Sequence, residues 1–376
     1  MTLQTIHTPS YVVDEELLIK NLEILKHVMD ETGCRILLAQ KCFSMFSVYP
    51  LIGNYLNGTT ASGLFEAKLG KEHMGGETHV YAAAFREDEI DEILEVCDHI
   101  VFNSFSQWER FKEKALKSGK ECGLRINPQC STQEGHEIYD PCAPFSRMGI
   151  TKEQFREELL EGISGLHFHT LCEQNSDALV TTLEAFEEQF GPYLYQMKWV
   201  NFGGGHHITR DDYDRDTLIK TIKQIREKYE VEVYLEPGEA VALNAGTLVS
   251  TVLDIVHNGM DIAILDTSAA CHMPDVLEMP YRPPIIGGKL PGENPYTYRL
   301  AGPTCLSGDV IGDYSFEKPL QVGDRVIFCD MAIYSMVKNN TFNGMNLPHI
   351  AWKEKNKDSI TIIKEFGYMD FKNRLS

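Results

Sequence analysis

Short apolar runs recur along the first two-thirds of the chain, and amphipathic, charge-rich stretches lie between them. The first run, Ile36-Leu37-Leu38-Ala39-Gln40, shows no polar alternation and so reads as a strand covered on both faces. Seven further candidate strands follow, at 58–61, 79–82, 99–103, 123–127, 165–169, 198–202 and 232–236. The stretches at 87–97, 106–117, 152–161, 176–190 and 214–229 carry apolar residues at helical spacing. An extended start at 10–13 leads through Asp14, a fitting N-cap, into a further helical stretch over 15–30. Early strands begin about twenty residues apart, the size of one compact βα unit. Eight such units over roughly 230 residues predict an α/β fold, a (β/α)8 TIM barrel rather than an open doubly wound sheet.

The pattern changes near residue 245. Strand-like runs at 249–256, 262–266, 297–301 and 325–329 are separated by turns with few helical periods. The segment 280–295 is rich in Pro and Gly and reads as loop, and 309–318 reads as an excursion. This predicts a second, mainly β domain. The expected division is a barrel over 15–245 and a β-rich domain formed by 1–14 and 246–376, with the amino-terminal strand adding to its sheet.

Composition narrows the setting. The 376 residues suit one large domain plus a smaller one, and 43% hydrophobic with 24% charged residues is a soluble globular balance. No apolar run is long enough to span a membrane and no basic-plus-apolar leader opens the sequence, so a cytoplasmic location is expected. Ten cysteines lie scattered, without a CxxC pair or zinc-like spacing, as reduced thiols would. Thirty-five basic against fifty-five acidic side chains give a net charge of −20. That argues against nucleic acid and anionic membrane as partners and suits a small cationic ligand, although charge alone serves solubility equally well.

In such a barrel, active groups sit at the C-terminal ends of the strands. Those ends hold Lys41, Ser62 with Glu66 just beyond, Asn127, His169, Gly203-Gly204-Gly205 and Glu236. Each has a plain reading: a lysine reaching solvent, a core histidine, a loop, a turn cap. Their joint placement at one end argues for a site. Pyridoxal phosphate requires a lysine to bind it covalently, a backbone cradle for its phosphate and a carboxylate to keep its ring nitrogen protonated. Three glycines let successive N–H groups converge on an anion, Glu236 supplies the carboxylate, and His169 is placed to stack on the ring. A metal centre on His167, His169, His206 and His207 is the weaker reading, because adjacent histidines share one metal poorly. No metal is expected.

The motifs Pro9-Ser10-Tyr11-Val12-Val13-Asp14, Gln40-Lys41, Ala61-Ser62 with Glu66, Ser146-Arg147-Met148-Gly149, Phe168-His169 and Asn201-Phe202-Gly203-Gly204-Gly205 recur in order along the chain. Glu236-Pro237-Gly238, Gly302-Pro303-Thr304-Cys305, Asp330-Met331-Ala332-Ile333-Tyr334 and Phe342-Asn343-Gly344 follow. In this the chain resembles the fold-type III, alanine racemase-like, pyridoxal-phosphate decarboxylases acting on ornithine, arginine and meso-diaminopimelate. Gln40-Lys41-Cys42-Phe43-Ser44, the run from Leu166 to Glu173, Glu236-Pro237-Gly238-Glu239 and the run from Cys271 to Pro283 resemble its polyamine branch. That branch decarboxylates carboxynorspermidine and carboxyspermidine.

The resemblance implies Lys41 as the covalent anchor, His169 beside the ring, and phosphate contacts from the glycine triplet and Tyr334. It implies Cys305 as the acid that protonates Cα, presented from the partner subunit of a homodimer with shared active sites, with Asp309 reaching across beside it. Relatives place a phosphate-binding arginine where Glu239 stands. Glu239 and Asp275 are therefore expected to meet the amines of a cationic, polyamine-like substrate. A diaminopimelate or other basic amino-acid decarboxylase is the alternative, opposed by the missing arginine. A racemase is opposed by the residues around Lys41, and a barrel-only cofactor carrier by the long β-rich region.

Overall fold

The structure, a computed structural model, describes residues 1–135 and 137–376. It divides into two compact units, one of Asn21–Val241 and one of Met1–Lys20 with Ala242–Ser376. In chain order the strands are β1 Ser10–Asp14, β2 Arg35–Ala39, β3 Gly58–Ala61, β4 Glu77–Tyr81, β5 His99–Phe102, β6 Glu121–Arg125, β7 Gly165–His167, β8 Trp199–Asn201 and β9 Glu232–Leu235. They continue with β10 Gly246–His257, β11 Asp261–Leu265, β12 Tyr296–Ala301, β13 Val310–Phe316, β14 Arg325–Cys329, β15 His349–Lys353 and β16 Ile360–Lys364.

Strands β2 to β9 close into a parallel barrel in sequence order, β9 pairing back onto β2 through Arg35↔Tyr234 and Ile36↔Leu235. All eight expected barrel strands are present. Inside, Leu37, Val101, Trp199 and Tyr234 pack as one buried cluster. The Trp199 indole occupies the space a Cβ would fill at Gly123 and Gly165 on the two preceding strands, so both positions require glycine. Near the N-terminal ends of the strands, the buried rings of His79 and His99 stack at 3.9 Å, and Glu77 bridges His79 and Arg35. The outer helices start where side chains satisfy their free N–H groups. Ser104 accepts from Gln107 N–H ahead of helix Phe105–Ser118, and Asp214 from Thr217 N–H ahead of helix Arg215–Tyr229.

The helix expected over 152–161 is instead two short 3-10 turns, Lys152–Gln154 and Glu157–Leu159. Only Phe155 and Leu160 of this segment are buried, and Phe155 wedges among Phe105, Phe190 and Tyr193. Two anchors five residues apart do not define a helical stripe.

The other unit is one sheet with the path β13-β12-β11-β10-β1-β15-β16, β14 also pairing with β10. The amino-terminal β1 runs antiparallel to β10 (Ser10↔Val249) and parallel to β15 (Ser10↔His349), as the expected addition of the first strand requires. Ile6, Val12, Val249, Ile327, Ala351 and Ile360 form a core cluster of this unit. The segment 309–318, expected as an excursion, contains β13, paired antiparallel to β12. Among the described residues, no helix is long and apolar enough to cross a membrane.

Candidate active site

Strand β2 ends at Ala39, and a tight turn closed by Cys42 N–H onto Ala39 C=O (3.1 Å) presents Lys41. The turn is pinned on both sides. Gln40 Nε2 donates to Glu66 C=O (2.9 Å), Tyr49 O–H donates to Gln40 Oε1 (3.1 Å), and Ala39 N–H donates to Pro237 C=O (3.2 Å). The Lys41 side chain is reachable by solvent yet closely surrounded by protein. That crowding, followed by the Arg125 guanidinium, lowers its pKa, against the pull of Glu236. A lysine biased toward the free amine can act as a nucleophile.

Glu236, just beyond β9, is 8% exposed. Its Oε1 accepts from Asn201 Nδ2 at 2.8 Å, and its Oε2 lies 3.4 Å from His167 Nε2. Burial alone would raise its pKa; the neighbouring His167, with His79 and the Asn201 hydrogen bond, outweighs it and holds the carboxyl at about 2. Glu236 is therefore a carboxylate. Burial lowers the His167 pKa against the pull of Glu236, and its Nδ1 is buried with no hydrogen-bond partner among the described residues. Such an orphaned polar atom beside a buried carboxylate marks a place built to meet a polar ligand.

The glycine triplet follows β8. Gly203 and Gly205 have φ of +69° and +82°, and a Cβ on Gly203 would stand 2.6 Å from the Cβ of His169. Gly204 N–H donates to His169 Nδ1 (2.8 Å), which fixes the proton of the neutral ring on Nε2. Burial, then Lys41 and Arg125, push the His169 pKa well down. Gly203 N–H donates to Asn201 Oδ1 (2.8 Å). Two of the triplet's N–H groups, those of Gly203 and Gly204, thus meet side chains of the site.

Lys41, His169, the triplet and Glu236 come together at the barrel's C-terminal end. Two residues there were not singled out from sequence. Arg125, 4% exposed in β6, donates to His169 C=O (3.3 Å) and lies over the Tyr81 ring. Asn201 joins Glu236 to the glycine turn. A charge inside an apolar strand was the signal for Arg125. Glu239, expected to meet a substrate amine, is bound by His207 Nε2 at 3.1 Å. Of the histidines weighed as a metal set, His169 Nδ1 accepts from Gly204 N–H, His206 Nε2 lies 3.3 Å from Phe202 C=O and His207 Nε2 lies 3.1 Å from Glu239 Oε2.

The remaining expected residues lie in the β-rich unit. Cys305 is exposed, its N–H donating to Asn343 Oδ1 at 2.7 Å. Tyr334 has φ +50°, unusual for a bulky residue. Asp275, expected to meet a substrate amine, is paired with Lys338 at 2.5 Å, and Lys338 also binds Glu278. Asp309, expected to reach into a partner's site, is 3% exposed in the single chain and accepts from Ser268 Oγ, Thr304 Oγ1 and the N–H groups of Ala270 and Thr304.

These residues fit pyridoxal phosphate. Lys41 would hold it covalently, Glu236 would keep its ring nitrogen protonated, and the glycines leave room for close backbone approach. A barrel with this mouth, joined to a sheet completed by the first strand, defines the class of pyridoxal-phosphate-dependent decarboxylases.

The profile of the pyridoxal-dependent decarboxylases (C-terminal sheet domain) matches residues 10–332. The chain is 45% identical to the carboxynorspermidine/carboxyspermidine decarboxylase of Campylobacter jejuni over the full length of both proteins. It is 41% identical to the carboxyaminopropylagmatine decarboxylase of a Synechocystis species, over 99% of this chain and 96% of that one. The crystal structure of the C. jejuni carboxynorspermidine decarboxylase complexed with norspermidine superposes with a TM-score of 0.91, covering 98% of this chain and 100% of the other. The chain belongs to the carboxynorspermidine/carboxyspermidine decarboxylase family of pyridoxal-dependent enzymes.

Proposed function

We propose that this enzyme removes the carboxylate of carboxynorspermidine and carboxyspermidine, releasing carbon dioxide and the free polyamines. The observation that carries the reading is the end-to-end likeness to a relative whose crystal structure contains norspermidine. Bound pyridoxal phosphate supplies the electron sink that lets the bond from Cα to the carboxylate break. The chain's own groups do the rest. Lys41 binds the cofactor and yields to the substrate amine. Glu236 holds a proton at the ring nitrogen. His169, held by Gly204 N–H, would lie beside the ring, and the glycine triplet with Tyr334 would serve the phosphate. Cys305 gives a proton to Cα after carbon dioxide leaves, from the partner subunit of a homodimer. Glu239, oriented by His207, meets a substrate ammonium, and the net charge of −20 draws in the polycation. Ten scattered cysteines without a CxxC pair suit a cytoplasmic setting.

A second reading, decarboxylation of carboxyaminopropylagmatine, is favoured by the Synechocystis relative. Steady-state kinetics on carboxynorspermidine, carboxyspermidine, carboxyaminopropylagmatine and meso-diaminopimelate separate the two. The first two substrates differ by one methylene and should give kcat/KM within roughly two hundredfold of each other, both above the rest. A higher kcat/KM for carboxyaminopropylagmatine moves the enzyme to the second reading, and one for diaminopimelate refutes both.

A further inference from the structure

Cys305 sits on an exposed loop, an unsuitable mount for a group that must deliver a proton to one face of one carbon. The structure shows what holds that loop. The Asp309 carboxylate is buried and faces back along its own loop. Oδ2 accepts from Thr304 Oγ1 (2.6 Å) and Thr304 N–H (3.4 Å), so the residue next to Cys305 is gripped through both main chain and side chain. Oδ1 accepts from Ser268 Oγ (2.9 Å) and Ala270 N–H (3.2 Å), fixing the loop to a second segment. Gly302 passes so close to the carboxylate that a Cβ there would overlap it. Gly302 N–H also donates to Asp309 C=O at 2.8 Å. On the far side of Cys305, Asn343 Oδ1 takes its N–H, and the Asn343 segment is tied to the same anchor through Asn340 N–H to Cys271 C=O (2.9 Å) and Asn340 Nδ2 to Ala270 C=O (2.9 Å). The segment from Ser268 to Cys271 is thus the common base of both loops that flank Cys305.

We propose that Asp309 is a positioning residue for proton delivery by Cys305. The inference rests on the reading of Cys305 as the acid. In that step the S–H bond breaks as the C–H bond forms at Cα, the sulfur is left as thiolate, and solvent returns its proton. Asp309 touches none of these atoms. It fixes the backbone from which the thiol projects, and a displacement of about 1 Å in such a group costs on the order of a hundredfold in rate.

The test uses the cofactor-loaded enzyme with Asp309→Ala, Thr304→Val and Cys305→Ala, alone and with each of the first two combined with the third. Removing the acid should lower kcat by roughly a hundredfold or more. Asp309→Ala should lower kcat by about tenfold or more, with KM and cofactor absorbance unchanged, and Thr304→Val should do the same more weakly. In the Cys305→Ala background both should add less than about twofold, because the group they position is gone. The alkylation rate of the Cys305 thiol by iodoacetamide, followed by peptide mass spectrometry, should change in Asp309→Ala and Thr304→Val. Multiplying rate losses in the double variants, or an unchanged alkylation rate, overturns the inference. Should Asp309→Ala fail to fold, Thr304→Val carries the same two readouts. If Cys305→Ala leaves kcat intact, the reading of Cys305 as acid fails, while the alkylation rate still decides whether Asp309 holds the loop.

Discussion

His99 makes the barrel sensitive to mild acid. It begins β5, is 8% exposed, and stacks on His79 while its ring centroid lies 5.1 Å from that of Trp199. Burial, and then the neighbouring His79, lower its pKa from 6.5 to about 3. The unfolded chain therefore takes up a proton at this residue below pH 6.5 while the folded chain does not until about pH 3, so stability falls as pH drops through that window. Between pH 7 and pH 5 the unfolded state gains about 1.5 pH units of protonation, worth about 2 kcal/mol. Out of a total stability of about 5–15 kcal/mol this is large. Urea unfolding followed through tryptophan fluorescence at the two pH values measures it, since Trp199 sits against the ring. The free energy lost between pH 7 and pH 5 should be about 2 kcal/mol smaller in His99→Gln than in the parent enzyme, whatever the variant's stability at pH 7. Equal losses in the two proteins would refute the claim that His99 is buried neutral.

Two further outcomes are expected. Lys41→Ala should abolish the visible absorbance of covalently bound cofactor in the dialysed protein, and an intact band would move the covalent anchor elsewhere. Gly165→Ala should destabilise the barrel by about 3 kcal/mol or prevent its folding, because the new Cβ overlaps the Trp199 indole; thermal unfolding within about 1 kcal/mol of the parent would show that the indole has somewhere to go.

What the sequence shows well is what periodicity and local order encode. The barrel strands are short and mostly apolar, because both faces are covered, and the joint placement of Lys41, His169 and Glu236 at their C-terminal ends marks them out together. The sheet of the other unit was harder. Its β13 shifts register against β12 between Leu300 and Ala301, and its exposed and buried positions do not alternate cleanly. Its β15 and β16 are five residues each, β15 joining β1 across more than three hundred residues, a pairing no local window contains. The carboxylates were the least legible. Sequence gives their type but not their partners: Asp275 finds Lys338, sixty-three residues on, and Asp309 finds Ser268 and Thr304 on separate segments. Which partners an acidic residue meets is decided by folding, over distances no local window of sequence spans. The same logic separates Glu236 from Glu239. Glu236 is buried against His167 and Asn201 and held ionised, which suits one fixed role at a cofactor ring. Glu239 is only partly buried and pairs with the neighbouring His207, an arrangement less fixed than that of Glu236.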